Sequence, residues 1–469
     1  MKNKLLITSL IISTLFFAVA YAAELIKAKE VSFSNGMSGL KASNVQSAIE
    51  ELYNKNINDT SCKNVSAPKL GEGLIPVTID FDGTVTYADT SENWYNYCDK
   101  RWANAVILED NANYKVGDII QESDIESYFV WIPKYKYKLW NTGTSSKSVH
   151  EIDIIFDETD TTDVEGISCK TPMVSGETGN CKNGEYMTHP AFISMGVKGF
   201  WVGKFETGYR GATSASAAQV NSNDTSKIII KPNVYSWRNI TVYNEFLNSY
   251  NYKRDLDSHM MKNTEWGAVA YLSHSKYGIN REININNNSS YKTGYSAVPS
   301  TNQQIYPGTG GDGATYNSAY NTDIGYPAST TGNISGVYDM SGGAWEYVSA
   351  YITGKPGSSG FSTTTIANYD SKYFDTYNAA STLTTYQYRI LGDATGEMGP
   401  FKSYLDGDNS SRWHSSWYGD YSGFVDSSNP WFSRGGNYTD GVLAGAFYFS
   451  RGAGGTDSYD GFRLVLSVA

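Results

Sequence analysis

The chain of 469 residues has a formal net charge of -11, and only 18% of its residues are charged. This acidic balance argues against nucleic acid, or an anionic membrane surface, as the partner. Its 45 glycines and 37 tyrosines are typical of loop-rich β proteins with recognition surfaces and exclude a simple helical bundle.

The N-terminus has the composition of an export signal. Lys2 and Lys4 precede a largely apolar run over residues 5–19, and an A-Y-A cleavage site ends at residue 22. This pattern predicts a signal peptide over residues 1–23. An uncleaved membrane anchor is the alternative, because the apolar run approaches the length of a spanning helix. Both interpretations place the rest of the chain outside the cytoplasm, either secreted or exposed at the cell surface.

The four cysteines of an exported chain predict disulfide bonds. Cys169 and Cys181 lie close together in a loop rich in Gly, Thr and Ser, so we expect them to pair. Cys62 and Cys98 would then form the second disulfide bond. Metal binding is the weaker interpretation because no C-x-x-C spacing occurs.

Residues 24–62 contain a predicted helix. Ser43 and Gln46 form a capping box, and an apolar stripe follows at helical spacing. The stretch over residues 31–52 resembles short segments of phage tail and fibre proteins, which would make it stalk-like. A helix packed on its own chain explains the stripe equally well. The stripe consists of Val45, Ala48, Ile49, Leu52 and Tyr53.

Residues 63–126 predict a small β-rich module. Alternating residues on either side of Asp82-Gly83 indicate a hairpin over residues 77–87. Aromatic residues follow, and we expect them to form the core of the module rather than a sugar-stacking surface. These aromatics are Trp94, Tyr95, Tyr97 and Trp102.

Residues 127–469 carry an ordered series of motifs and two amphipathic helices. One helix follows Thr241 as N-cap, with a stripe formed by Tyr243, Phe246, Leu247 and Tyr250; the other follows Asn263-Thr264, with Trp266, Val269, Ala270 and Ser273. The motifs are F-V-W-I-P at 129–133, G-F-W-V-G-K-F-E-T at 199–207, T-E-W at 264–266, G-V-Y-D-M-S-G-G-A-W-E-Y at 336–347, R-G-G at 434–436 and G-F-R at 461–463.

This series resembles the domain of the formylglycine-generating enzyme, or sulfatase-modifying factor, which is a variant of the C-type lectin fold. The resemblance implies a loop-rich α+β, C-type lectin-like domain over residues 127–469, preceded by the β-rich module and the short helical segment. Proteins of that family often hold a structural calcium ion, and the sequence does not assign its ligands here. We expect no other cofactor.

The last residues alternate between two kinds of position. From Ser433 to Asp460 the chain contains no Lys, Gln, Glu, Met or Trp, the residues that a codon ending in a pyrimidine cannot encode. Together with the motif R-G-G…A-G-x-F-x-F…G-F-R, this resembles the variable region of target proteins of diversity-generating retroelements. In such systems a reverse transcriptase copies a template repeat with adenine errors into the end of a gene. A glycine-rich surface hairpin of ordinary origin is the alternative.

The resemblance divides residues 431–463 into two sets. The framework residues, which we expect to hold the backbone, are Arg434, Gly435, Gly436, Gly441, Gly461, Phe462 and Arg463. The variable residues, which we expect to contact a ligand, are Ser433, Asn437, Tyr438, Asp440, Phe447, Ser450, Arg451, Ala453, Asp457, Tyr459 and Asp460.

The sequence argues against catalysis. The enzymes that it resembles react through cysteines in the region matching residues 447–461, and this chain has no cysteine after Cys181. The five histidines lack H-x-H or H-E-x-x-H spacing. For one acidic stretch we favour a solvated loop over a calcium site, because the acids lack EF-hand spacing. Its acids are Asp157, Asp160, Asp163 and Glu165.

The sequence thus predicts an exported, adhesin-like ligand-binding protein with a diversified C-terminal surface. Its partner would be a protein or glycan on another cell or a phage surface. The expected energetic anchors are Tyr438, Tyr459, Phe447 and Arg451. Trp413, Trp417 and Tyr421 would add a fixed surface, with core packing an equal alternative for the two tryptophans. The alternatives are a relative of the enzyme without its cysteines and a structural surface or tail-fibre component.

Overall fold

The computed structural model describes residues 64–138, 149–159, 184–297, 317–377, 391–395 and 417–468, with isolated residues at 44, 45 and 47. The strands in this part of the chain are β1 (Ile75–Ile79), β2 (Val85–Tyr87), β3 (Asn104–Leu108), β4 (Ile119–Ile120), β5 (Ile125–Pro133), β6 (Tyr135–Lys138), β7 (Ile154–Phe156), β8 (Tyr186–Thr188), β9 (Gly199–Gly203), β10 (Gly208–Tyr209), β11 (Ile228–Ile229), β12 (Ser258–Met260), β13 (Tyr295–Ala297), β14 (Asn317–Ala319), β15 (Trp345–Ile352), β16 (Asp375–Tyr377), β17 (Trp431–Gly435), β18 (Gly445–Gly452), β19 (Asp460–Phe462) and β20 (Leu464–Leu466).

The helices of the described residues are α1 (Pro190–Met195), α2 (Val242–Tyr252), α3 (Asn263–Ser273) and α4 (Thr363–Ile366). Thr241 caps α2 as predicted, because its side chain accepts a hydrogen bond from the backbone N–H of Asn244. Of the predicted stripe on α2 only Phe246 is fully buried. Helix α3 differs more from its prediction. It begins at Asn263, which was expected to precede the helix, and all of its residues are buried instead of one apolar stripe.

The largest sheet has eight strands in the order β12-β20-β9-β5-β3-β1-β2-β4. The predicted hairpin is confirmed, since β1 pairs antiparallel with β2 and Gly83 has a φ of +92° in the turn. The expected separation of residues 63–126 from 127–469 is wrong. β3 pairs with β5 over Asn104–Leu108, and residues from Asn64 onward form one compact unit. Paired strands share one row of hydrogen bonds, so no domain boundary falls between them.

The aromatic residues of the 63–126 stretch confirm this continuity. Tyr97 and Trp102 are buried. The Tyr97 hydroxyl donates to the carbonyl of Trp131 at 2.6 Å, and the Trp102 indole donates to the carbonyl of Tyr277 at 2.8 Å. Their partners lie in the following part of the chain, so these rings belong to a core shared with it.

A second sheet carries the C-terminal residues. It has the order β16-β15-β17-β18, and β19 pairs parallel with β15. β19 ends at Phe462 and β20 begins at Leu464 in the large sheet, so the chain passes between the two sheets at Arg463.

Arg463 is completely buried at this crossing. Its Nε and Nη2 atoms donate to Glu346 of β15 at 2.8 and 2.5 Å, and Nη1 donates to the Gly203 carbonyl of β9 at 2.8 Å. Burial lowers the pKa of Arg463, but the carboxylates of Glu346, Asp339 and Glu206 outweigh that effect and raise it. One charged side chain therefore joins the two sheets.

The architecture is sheet-rich with few helices and long connecting loops. Cys98 is disulfide-bonded, and its expected partner Cys62 lies outside the described residues, as do Cys169 and Cys181. Residues 1–23 and the helix expected after Ser43 also lie outside them, apart from the isolated positions named above. In the described chain, every helix is too short or too polar to cross a membrane.

We expect Arg463→Met to lower the free energy of unfolding by about 3–5 kcal/mol, because it leaves Glu346 buried without its partner. The matched control is Arg451→Met, which breaks a half-exposed ion pair with Asp426 and should cost about 0–1 kcal/mol. Urea denaturation of both variants measures the difference. Equal losses would contradict the structural role given to Arg463.

Candidate functional site

The framework residues place the turn after β17. Arg434 is buried, and its Nη1 donates to Asn263 Oδ1 and to the Asp393 carbonyl, each at 3.1 Å. Its guanidinium lies 5.6 Å from the ring of Trp266 in α3. Burial lowers the pKa of Arg434 to about 10, so the group stays charged at neutral pH. Gly435 follows with a φ of +82°, a conformation that other residues rarely adopt.

Two predicted variable residues stabilise the loop that follows. The Asn437 side chain accepts hydrogen bonds from the backbone N–H of Thr439 at 2.8 Å and from its hydroxyl at 2.7 Å. Asp440 Oδ2 accepts from the Asn437 N–H at 2.9 Å and from the Trp345 indole at 2.8 Å. Burial raises the pKa of the Asp440 carboxyl. Both side chains serve the loop conformation.

Six of the nine other variable residues converge on one cavity of about 290 Å³. It lies where β15, β17 and β18 meet the loop over residues 453–460. Trp345 and Tyr347 both line it, as the period-2 alternation along β15 predicts. The cavity lining also includes six variable residues, which are Ser433, Ser450, Arg451, Ala453, Asp457 and Asp460, and the nonvariable residues Gly452, Gly455 and Thr456.

Among the described residues, the basic side chain of the cavity has an ion-pair partner, whereas its acidic side chains do not. Arg451 Nη1 lies 3.0 Å from Asp426 Oδ2 and donates to the Phe424 carbonyl at 2.9 Å, so its charge is neutralised. Asp457 is exposed, whereas Asp460 is only 6% exposed. Burial, and then the charge of Asp457, raise the pKa of Asp460 to about 8, although a hydrogen bond with Tyr347 lowers it in part.

An aromatic group lies beside the cavity. Tyr291 has its ring centroid 4.8 Å from that of Tyr438 and 6.3 Å from that of Tyr459, and Tyr459 lies 5.7 Å from Trp345. The Arg238 guanidinium stacks on Tyr291, 3.6 Å from its ring centroid. Tyr459 is 41% exposed and Tyr438 is half-buried. These two predicted anchors therefore share one surface, which joins the cavity through Trp345.

The prediction for Phe447 as an anchor is wrong. Its side chain is 4% exposed and packs edge-on against Trp417 at 5.0 Å and His274 at 4.7 Å. Trp417 is buried with it and so forms core rather than a fixed binding surface. Tyr421 is half-buried against Tyr448, and Trp413 lies outside the described residues. Asn437 is likewise buried, so the ligand contact expected of it is also wrong.

Sequence reasoning missed the residues that complete the site. Trp345 and Tyr347 belong to the motif over residues 336–347. Their spacing of two residues in a strand indicates that both side chains lie on one face, and this was the signal that could have assigned them to the site. Tyr291 carries no such signal, because it lies in a loop and adopts a φ of +55°. Only the fold brings it to Tyr438 and Tyr459.

Across the described part of the chain, no group of three or more His, Cys, Asp or Glu side chains is placed to hold a metal ion. The predicted acidic loop is described only up to residue 159, where Asp157 lies 3.4 Å from Lys134.

The fold and the site define a sheet-rich α+β protein with a side-chain-lined cavity close to its C-terminus. No protein-family model and no curated protein matches the chain. A solved structure to which it is similar is "Major Tropism Determinant I1 Variant", with 13% sequence identity and a TM-score of 0.26 over 87% of this chain and 97% of that chain. A TM-score of this size does not establish a common fold.

We expect Gly436→Ala to lower the free energy of unfolding by about 1–3 kcal/mol. Gly436 has a φ of +77°, and an added Cβ would lie 2.7 Å from the Cβ of Ala444. The control is Gly455→Ala in the cavity lining, where the nearest atom to an added Cβ is 3.5 Å away; its effect should stay within about 0.5 kcal/mol. Thermal denaturation of both variants measures the two losses of stability. Similar losses would contradict the framework role of Gly436.

Proposed function

We propose that the protein is a non-catalytic ligand-binding protein whose C-terminal cavity and adjoining aromatic surface form a binding site with replaceable side chains. The observation that carries this proposal is the convergence of six of the eleven variable residues on one cavity. Framework residues such as Arg434 and Arg463 are fully buried, whereas six variable residues line one cavity. A site built this way changes its contacts without changing its backbone.

Recognition would combine a constant and a changeable component. Trp345, which is half-buried, offers aromatic area that loses little side-chain entropy on binding, and Tyr347 lines the same cavity while only 4% exposed. Ser450, Arg451, Ala453 and Asp457 are at least partly exposed in the same lining, and their size and charge would select the ligand. Surface substitutions of this kind usually change stability by about 0.5 kcal/mol or less.

We further propose the finer features that the sequence favours. These are a lectin-like domain of the formylglycine-generating-enzyme type, diversification of residues 431–463 by a retroelement, export of the chain, and a protein or glycan ligand on another cell or phage. The sheet-rich fold with long loops is compatible with the first of these. The clustering of variable residues at the cavity supports the second.

A library tests whether the site accepts replacement. We expect that randomising Ser450, Arg451, Ala453 and Asp457 leaves most clones folded, because these side chains are not fully buried. Selection by surface display should then give clones that bind different target proteins. Resistance to a protease measures folding, and binding is measured by flow cytometry.

The control library randomises four buried residues of the same segment, Arg434, Phe449, Phe462 and Arg463. Most of its clones should be unfolded. If the first library loses as many folded clones as the control, or if its folded clones yield no binders, the proposed function is wrong.

The diversification itself is tested in DNA. We expect a reverse-transcriptase gene downstream of this gene, together with a near-copy of the segment that encodes residues 431–463. The near-copy should differ from the coding segment only at template adenines. Codons at Tyr459 and Asp460 that adenine mutagenesis of asparagine codons does not explain would contradict a retroelement. That result would leave ligand binding as proposed.

A further inference from the structure

The lining of the cavity contains two acidic side chains, Asp457 and Asp460, and no basic side chain that is available to pair with them. Its one basic side chain, Arg451, is already paired with Asp426 and hydrogen-bonded to Phe424. Asp457 and Asp460 remain, and among the described residues neither forms an ion pair with a lysine or arginine. Asp460 is buried and has a hydrogen bond with Tyr347, but no cation of the described residues balances the charge that it acquires when it ionises, and a buried charge without such a partner is unfavourable.

A third carboxyl group lies near these two. Glu245 of α2 is fully buried, and in the described structure both of its carboxyl oxygens lack a hydrogen-bond partner. Burial, and then the charges of Asp460 and Glu346, raise its pKa well above the usual value. Glu346 is paired with Arg463. Asp460 and Glu245 are therefore two buried carboxyl groups for which the described residues supply no cation.

The aromatic residues of the lining favour the same kind of ligand. Trp345 donates its indole N–H to Asp440 at 2.8 Å. The Tyr347 hydroxyl accepts from the Gly454 N–H at 3.3 Å. With these polar atoms engaged inside the protein, the half-buried ring of Trp345 is the main aromatic surface available to a ligand, and Tyr347 lines the cavity while only 4% exposed. A tryptophan and a tyrosine beside carboxylates are a combination that attracts cations.

We propose that this cavity binds an organic cation, an ammonium or guanidinium group presented by the ligand. The inference rests on the proposed function and specifies the chemistry of its ligand. A volume of about 290 Å³ is at the lower end of small-molecule sites, which are roughly 300–1,000 Å³. The cavity thus accommodates a group of side-chain size, such as the end of a lysine or arginine of a protein ligand.

Cation binding would depend on pH through Asp460. The free protein holds a proton on this carboxyl below about pH 8, and a bound cation favours the deprotonated form. Affinity should therefore increase as pH rises towards 8, by up to about tenfold per unit, and then level off. The titratable groups that face Asp460 are Asp457 from its own loop, Tyr347 from β15, Glu245 from α2, and Tyr448 and Arg451 from β18.

The test uses the full-length protein and small probes in isothermal titration calorimetry. Nα-acetyl-lysine methylamide and Nα-acetyl-arginine methylamide carry the cations, and Nα-acetyl-norleucine methylamide and methyl glucoside are the neutral probes. We expect a cationic probe to bind at least about tenfold more tightly than either neutral one, the value of one charge-assisted hydrogen bond. Asp457→Asn and Asp460→Asn should each weaken it by about tenfold, and Asp460→Asn should abolish the pH dependence.

The control variant is Asp323→Asn, which removes the same charge from an exposed acid outside the cavity lining. It should leave binding unchanged. Equal binding of cationic and neutral probes, a preference for the glucoside, or an equal loss in Asp323→Asn would overturn the cation assignment. So would Ca²⁺ binding that displaces the organic probes. The libraries test the proposed function separately, so their success together with any of these results would refute this inference alone.

Discussion

The buried ion pair between Arg463 and Glu346 is the interaction on which the C-terminal site depends. The last strands belong to two different sheets, and Arg463 occupies the single position between them. Its guanidinium also donates to the Gly203 carbonyl of the large sheet. Because a buried charge requires a partner in a defined direction, this geometry fixes β15 relative to the large sheet. β15 in turn supplies Trp345 and Tyr347 to the cavity.

The residues that hold the backbone are mostly buried, whereas six of the variable residues line the cavity. Arg434 uses its hydrogen bonds inside the protein, and Gly435 and Gly436 adopt positive φ angles that a side chain would strain. The cavity residues of β18 and the following loop contribute little to this arrangement. A binding surface that tolerates exchange needs this division, because contacts that determine the fold cannot also be free to change.

The charge of the cavity depends on which lining residues form ion pairs, and less on which charged residues are present. Arg451 lies in the lining, yet Asp426 neutralises it, so the acidic residues and the aromatic rings determine the local character. Asp457 and Asp460 belong to the variable set, whereas Trp345 and Tyr347 do not. Under the proposed function, a change at the two acidic positions would alter the preferred charge of the ligand while the aromatic surface stayed constant.

The sequence by itself determined two local features, the hairpin at Asp82-Gly83 and the cap of α2 at Thr241. Turns and caps depend on residues a few positions apart, so a single sequence contains the necessary information. Only the tertiary structure decided that β3 pairs with β5, that Phe447 lies in the core, and that Tyr291 meets Tyr438 and Tyr459. Those outcomes depend on contacts between residues far apart in the chain, for which local periodicity carries no signal.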